Sequence, residues 1–101
     1  ITVDNGISSY KAGEICFERG IDLIITDHHT PTYPLPKCYT IIDPKQKGET
    51  FPFIEICGAE VAWYLCASLN KTLNSKIDMR EFLDYLVLAI IADVMPLNHM
   101  N

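Results

Sequence analysis

Thr26-Asp27-His28-His29-Thr30-Pro31 follows the apolar run Leu23-Ile24-Ile25 and decides how the rest of the chain is interpreted. Carboxylate and imidazole groups are seldom buried without partners, because removing them from water is costly. A carboxylate and two adjacent imidazoles at the end of an apolar strand therefore indicate a binding site. A metal ion is the ligand that suits such groups.

The segments around this stretch alternate between strand and helix patterns. Ile1 to Val3 is β-prone and precedes a turn sequence, Asp4-Asn5-Gly6. A helix is predicted from Ser8 or Ser9 to about Arg19, with Gly20 as its C-cap. Strand, helix and strand in this order form a βαβ unit. We therefore expect an α/β fold with a parallel β-sheet and flanking helices.

Hydrophobic spacing predicts the remaining elements. Tyr39 to Ile42 is predicted to be a third strand, and Gly58 to about Leu73 a second helix. A last helix is predicted from about Met79 to Val94, and its apolar character on nearly all sides predicts that it is buried. In the first helix, the expected inner face consists of Ala12, Ile15 and Cys16.

Composition limits the class of protein. The chain has 101 residues, a hydrophobic content of 49% and a net charge of -5, as expected for one small globular domain without a broad basic surface. An enzyme that acts on nucleic acid could still bind phosphate without a basic surface, through cations held by clustered carboxylates. No apolar run is long enough to span a bilayer, and the four cysteines form no C-x-x-C pair. We expect a cytoplasmic protein with reduced thiols.

Sheet topology predicts which polar residues meet. Parallel neighbouring strands end at the same edge of a sheet, where open α/β folds bind ligands. Asp4 is therefore expected beside Asp27, His28 and His29. Asp93 lies in a strongly apolar segment and needs a partner of its own. Oxygen ligands with one imidazole favour Mn²⁺ or Mg²⁺ over structural zinc, which leaves the second histidine for a phosphate oxygen.

Each of these residues also has an ordinary structural interpretation. Asp4 could be only a turn former, and either His28 or His29 could be a hydrogen-bonded structural histidine. Asp93 could be a helix-end residue that bonds to the backbone. The metal site is favoured because three unrelated accidents would otherwise have to converge at one edge of the sheet.

Four sequence blocks stand out along the chain: Val3-Asp4-Asn5-Gly6, Thr26-Asp27-His28-His29-Thr30-Pro31, Ile42-Asp43-Pro44-Lys45-Gln46 and Ile91-Ala92-Asp93-Val94-Met95-Pro96-Leu97. In order and spacing these blocks resemble the DHH phosphoesterase family. A fifth segment, Cys57 to Trp63, is similar to a glycine-led helix start of that family's single-strand-specific DNA exonucleases. The resemblance covers essentially the whole chain.

The resemblance implies an enzyme of DNA repair and recombination that digests single-stranded DNA from its 5′ end to mononucleotides. By this resemblance, Asp4, His28 and Asp93 are metal ligands, with two Mn²⁺ or Mg²⁺ ions in the intact site. Asp27 supports the site, and His29 contacts the scissile phosphate. Single-stranded DNA is the implied substrate. A single-strand-binding protein or a helicase is the implied partner.

The family's first motif, an aspartate-rich strand upstream of Asp4, is absent, as are the connector and second domain. We therefore expect residues 1–101 to be a partial DHH domain with little activity alone. A second interpretation within the family is a phosphodiesterase for short oligonucleotides or cyclic dinucleotides, but Thr30-Pro31 and Asp43-Pro44-Lys45-Gln46 favour the exonuclease. Outside these two enzymes, the chain could be a replication scaffold without catalysis or an unrelated α/β domain.

Overall fold

The computed structural model of the chain describes residues 1–98 and 101. Within that part, short strands and longer helices follow one another along the chain. The elements are β1 (Thr2–Val3), α1 (Tyr10–Glu18), β2 (Ile24–Thr26), β3 (Thr40–Ile42), α2 (Gly58–Thr72), a 3₁₀ helix (Met79–Phe82) and α3 (Leu83–Ala92).

The strands form one parallel sheet in the order β1-β2-β3, which confirms the predicted α/β fold. Val3 pairs with Thr26, and Thr26 pairs with Ile42. The residue that follows each of these three positions is an aspartate. The register therefore places Asp4, Asp27 and Asp43 side by side where the strands end.

Helix α2 covers part of the sheet and begins next to this edge. It packs against β1 and β2 and contributes Val61 to a core that also contains Ile25 and Ile56. Its first turn is fixed by a reciprocal capping box, in which the Cys57 sulfur accepts from the amide of Glu60 and the Glu60 carboxylate accepts from the amide of Cys57 at 2.7 Å. Burial raises the pKa of the Cys57 thiol to about 11.

The prediction for the inner face of α1 was wrong. Ala12 and Ile15 are exposed and Cys16 is half-buried, whereas Gly13 is buried. A β-carbon on Gly13 would lie 2.5 Å from the carbonyl oxygen of Lys37. Helix α1 therefore packs with its backbone close to the loop at Lys37, and not through a stripe of apolar side chains. The C-cap of α1 is Arg19, and Gly20 follows it with a φ of +65°, the left-handed conformation expected of a glycine that ends a helix.

The prediction that the last helix is buried was also wrong. Tyr85, Leu88 and Ile91 are exposed by 68%, 66% and 63%, and Ile90 is the buried residue of α3. The reason is that α3 packs mainly against α2 and the 3₁₀ helix, which together cover one side of it. Among the described residues, no helix has both the length and the apolar character needed to cross a membrane.

Candidate metal centre

Asp4 lies directly after β1 and is held in a left-handed backbone conformation with a φ of 61°. Its amide donates to the carbonyl oxygen of Thr26 at 3.0 Å, which extends the pairing of β1 with β2 by one bond. Asparagine and aspartate tolerate this conformation better than most residues. The turn therefore presents the Asp4 carboxylate beside the end of β2, as the parallel topology predicts.

His28 is the central residue of the cluster. Its Nδ1 lies 3.1 Å from the carbonyl oxygen of Ile56. Its Nε2 lies 3.1 Å from Oδ1 of Asp4 and 3.6 Å from Oδ2 of Asp93. Because a carbonyl oxygen only accepts, Nδ1 carries the proton in this arrangement. In the neutral ring, Nε2 then presents a lone pair to two carboxylates.

Two carboxylates beside one imidazole nitrogen favour a cation at this position, either a proton or a metal ion. The donor types suit a divalent ion, because Mn²⁺ and Mg²⁺ take carboxylate oxygens and tolerate an imidazole. Neighbouring ligands of an octahedral ion of this size are about 3 Å apart, close to the spacing seen around Nε2 of His28. The Ile56 carbonyl is also the kind of partner that orients metal-binding histidines. Asp4 and His28 therefore fit such an ion, with His29 in the same cluster, and Asp93 Oδ2 lies 3.6 Å from Nε2 of His28.

Asp27 connects the loop after β1 to the loop after β2. Its side chain is buried, and Oδ2 accepts from the amide of Ile7 at 2.9 Å. Oδ1 accepts from the amides of His28 and His29 at 2.8 and 3.3 Å. Burial by itself raises the pKa of Asp27, but these bonds and the His29 ring outweigh it, so the pKa lies below its ordinary value.

His29 is oriented by Asp27 and is more accessible than His28. Its Nδ1 lies 2.7 Å from Oδ1 of Asp27, and its side chain is 61% exposed. This hydrogen bond raises the pKa of His29, and the charges of Asp27, Asp4 and Asp93 act in the same direction. One ligand atom each from Asp4, His28 and His29 lies within 4.8 Å of the others. The arrangement leaves Nε2 of His29 for a further contact at the same centre.

The structure thus brings together all five residues singled out from the sequence: Asp4, Asp27, His28, His29 and Asp93. Their separate roles stay predictions. The sequence did not identify two further contributors to the site. They are the carbonyl of Ile56 and Gly58, which packs against the Asp4 side chain. The segment Cys57 to Trp63 carried the signal for Gly58, but no pattern in the sequence identifies a backbone carbonyl as the partner of a histidine.

Comparison with known proteins shows the family of the chain. The family model described as "DHH family, N-terminal domain" matches residues 1–90. The chain therefore belongs to the DHH family. A curated relative from Bacillus subtilis, "Single-stranded-DNA-specific exonuclease RecJ", is 42% identical over 101 residues, which are 100% of this chain and 12% of the relative.

Proteins of the same name in other bacteria are also similar. The Escherichia coli relative is 37% identical over 111 residues, covering 100% of this chain and 19% of the relative. The Thermus thermophilus relative is 32% identical over 100 residues, covering 96% of this chain and 14% of the relative. The chain thus spans less than one fifth of the length of each of these three relatives.

Proposed function

We propose that this chain forms the metal-binding part of a phosphodiesterase that releases mononucleotides from the 5′ end of single-stranded DNA. The observation that carries the proposal is the position of Nε2 of His28 between the carboxylates of Asp4 and Asp93. The names of the similar proteins supply the substrate, single-stranded DNA, and the reaction class, exonucleolytic hydrolysis.

In this proposal Asp4, His28 and Asp93 would hold Mn²⁺ or Mg²⁺, with two ions in the intact site. Such ions would supply positive charge against the phosphate oxygens and would activate water. The Asp4 carboxylate is 47% exposed, so it can be shared toward the solvent side, whereas the His28 ring is 10% exposed and fixed by Ile56. His28 is therefore a rigid ligand, and Asp4 is a ligand that the substrate can reach.

Asp27 and His29 act together on the phosphate. Asp27 accepts from Nδ1 of His29 and thereby fixes the ring, leaving Nε2 to donate to a phosphate oxygen. Burial keeps the Asp27 side chain in place, and hydrogen bonds from three backbone amides keep it ionised. Asp27 is therefore a positioning residue, and His29 is the residue that contacts the substrate.

The cellular setting follows from the same resemblance. We propose a role in DNA repair and recombination in the cytoplasm, with a single-strand-binding protein or a helicase delivering the strand. The assignment of residues 1–101 as a partial DHH domain stays a prediction, as does the weak activity expected of residues 1–101 alone. All of these depend on the exonuclease assignment.

A product assay tests the assignment. The protein, expressed with any sequence that flanks this chain in its gene, is given Mn²⁺, a long 5′-phosphorylated single strand and, separately, a dinucleotide. We expect mononucleotides from the long strand, and none from the His28→Ala variant. Cleavage confined to the dinucleotide would instead assign the protein to the branch that acts on short oligonucleotides.

Metal binding is tested separately by Mn²⁺ titration. His28→Ala should weaken binding by more than the roughly 10-fold loss that follows removal of a supporting group. Asp22→Asn is the matched control, because Asp22 is exposed and precedes β2 at the opposite end of the strand. Equal affinity in His28→Ala and Asp22→Asn would contradict the assigned metal centre.

A further inference from the structure

A groove of about 450 Å³ lies at the edge of the sheet that carries the metal centre. It is lined by Thr30, which directly follows His29, and by Lys45, which lies in the loop after β3. Thr30 is exposed, and so are Ile54 and Glu55, which also line the groove. Because exposed residues line it, the groove is open to solvent, and a continuous strand can enter it beside the residue that contacts the phosphate.

Lys45 supplies positive charge to this groove. Its amide donates to Oδ1 of Asp43 at 2.8 Å, which anchors the backbone of Lys45 at the end of β3. The amide of Asp27 donates to the carbonyl oxygen of Ile42, the residue before Asp43, at 3.0 Å. The backbone of Lys45 is therefore held at the strand end that neighbours Asp27, the residue that orients His29.

The side chain of Lys45 is only weakly paired. Its Nζ lies 3.8 Å from Oε2 of Glu55, whereas a direct charge-assisted hydrogen bond is roughly 2.7–2.9 Å long. The Glu55 side chain is 52% exposed, and ion pairs open to water contribute little to stability. Glu49, another acid of the groove, accepts from the amides of Thr50 and Phe51. A phosphate can therefore take the Lys45 ammonium from Glu55 at small cost.

Building on the exonuclease function proposed above, we propose that Lys45 binds a phosphodiester of the single strand next to the one that is cleaved. In this proposal the strand continues from His29 into the groove, and the ammonium moves from Glu55 to a phosphate oxygen. The contact involves no base, so it holds strands of any sequence. The chain has a net charge of -5, and a cation beside the carboxylates of the metal centre offsets part of their repulsion of DNA.

The test is single-turnover hydrolysis of a 5′-phosphorylated strand with Mn²⁺ at a series of salt concentrations. Each phosphate contact on single-stranded DNA contributes about 0.7 to the slope of log affinity against log salt concentration. Lys45→Gln should therefore reduce the magnitude of that slope by about 0.7 and raise the half-saturating concentration of the strand. The loss should be the same for oligo(dT) and oligo(dA), as expected for a phosphate contact.

Glu55→Gln separates a DNA contact from a purely structural ion pair. The exchange removes the group that competes with the phosphate, so it should lower the half-saturating concentration, whereas Lys45→Gln raises it. An ion pair that only stabilised the loop would give changes of the same sign in both variants. Lys71→Gln is the control and should keep the wild-type slope, because Lys71 is exposed in the last turn of α2, about 20 Å along the helix from Gly58.

Two results would overturn the proposal and leave the exonuclease assignment intact: an unchanged salt slope in Lys45→Gln, or changes of the same sign in Lys45→Gln and Glu55→Gln. If the wild-type protein hydrolyses no single strand, the exonuclease assignment fails, and fluorescence anisotropy of a labelled strand decides on the contact. A salt slope reduced by Lys45→Gln then supports the contact without hydrolysis. Equal slopes, or no binding of the strand, reject it.

Discussion

Gly58, the first residue of α2, lies directly against the side chain of Asp4. A β-carbon on Gly58 would be 2.3 Å from Oδ1, 2.5 Å from Cβ and 2.6 Å from Cγ of Asp4. All three distances are too short for real atoms, and Cβ of Asp4 cannot move without its backbone. The absence of a side chain at Gly58 therefore sets how closely α2 approaches the candidate metal centre.

Gly58→Ala should displace Asp4 and weaken Mn²⁺ binding by about tenfold or more. The helix itself should tolerate the change, because alanine has the highest helix propensity. Mn²⁺ titration with far-UV circular dichroism measures both effects. Ala59→Gly is the control, since it lowers helix stability by about 1 kcal/mol at the next position. An unchanged Mn²⁺ affinity in Gly58→Ala would contradict this role of Gly58.

Asp27→Asn should destabilise the fold by about 2 kcal/mol, because both carboxylate oxygens accept from N–H groups and an amide offers only one accepting oxygen. The pKa of His29 should also fall toward its ordinary value, since Asp27 is what raises it. Urea denaturation and an NMR titration of the histidines measure these two effects. The same exchange at the exposed Asp84 should change neither, and a His29 pKa that stays raised would count against the pairing.

Asp43→Asn should raise the free energy of unfolding at neutral pH. Burial raises the pKa of Asp43 above its unfolded value, so folding disfavours the ionised form. Below the unfolded pKa the group is protonated in both states and this penalty is absent. The penalty develops as the pH rises through the folded pKa.

Urea denaturation of the wild-type protein and Asp43→Asn at a series of pH values measures this difference. The stability advantage of the variant should be smallest in acid and largest at neutral pH. An advantage that stays constant with pH, or one that grows toward acid, would show that Asp43 is not held in an unfavourable environment.

Val94→Gly should stabilise the fold by about 1 kcal/mol, because Val94 follows the end of α3 with a φ of 53° and left-handed geometry is costly for a β-branched residue. The turn bonds from Val94 to Ile91 and from Met95 to Ile90 do not need a side chain. Thermal or urea unfolding measures the gain. Asn74 has a similar φ of 52°, and asparagine tolerates it, so Asn74→Gly should gain less.

The sequence predicted the part of the site that depends on topology. Asp4 and Asp27 to His29 meet because parallel strands end at one edge, and alternation of strand and helix is enough to predict that arrangement. Asp93 was expected to join them because an isolated carboxylate in an apolar segment needs a partner. The approach of Asp93 to His28 depends on where α3 packs, and the hydrophobic periodicity of the sequence does not predict that position.

The remaining errors have a common cause. Apolar residues at helical spacing show that a helix has an apolar face, but not which neighbour covers that face. Ile15 and Leu88 are therefore exposed although their patterns predicted burial. Likewise, Asp43 was predicted only to follow the end of a strand, and no sequence pattern predicted that its side chain would be buried.

Asp4 and Asp93 follow the first strand and the last helix, so an ion shared by them would act as a crosslink between distant parts of the chain. Closing so long a loop lowers the conformational entropy of the chain by a large amount. Helix α3 otherwise makes its main contacts with α2 and the 3₁₀ helix among the elements described. Its amides should therefore report metal occupancy by slower hydrogen exchange, while those of β2 change little.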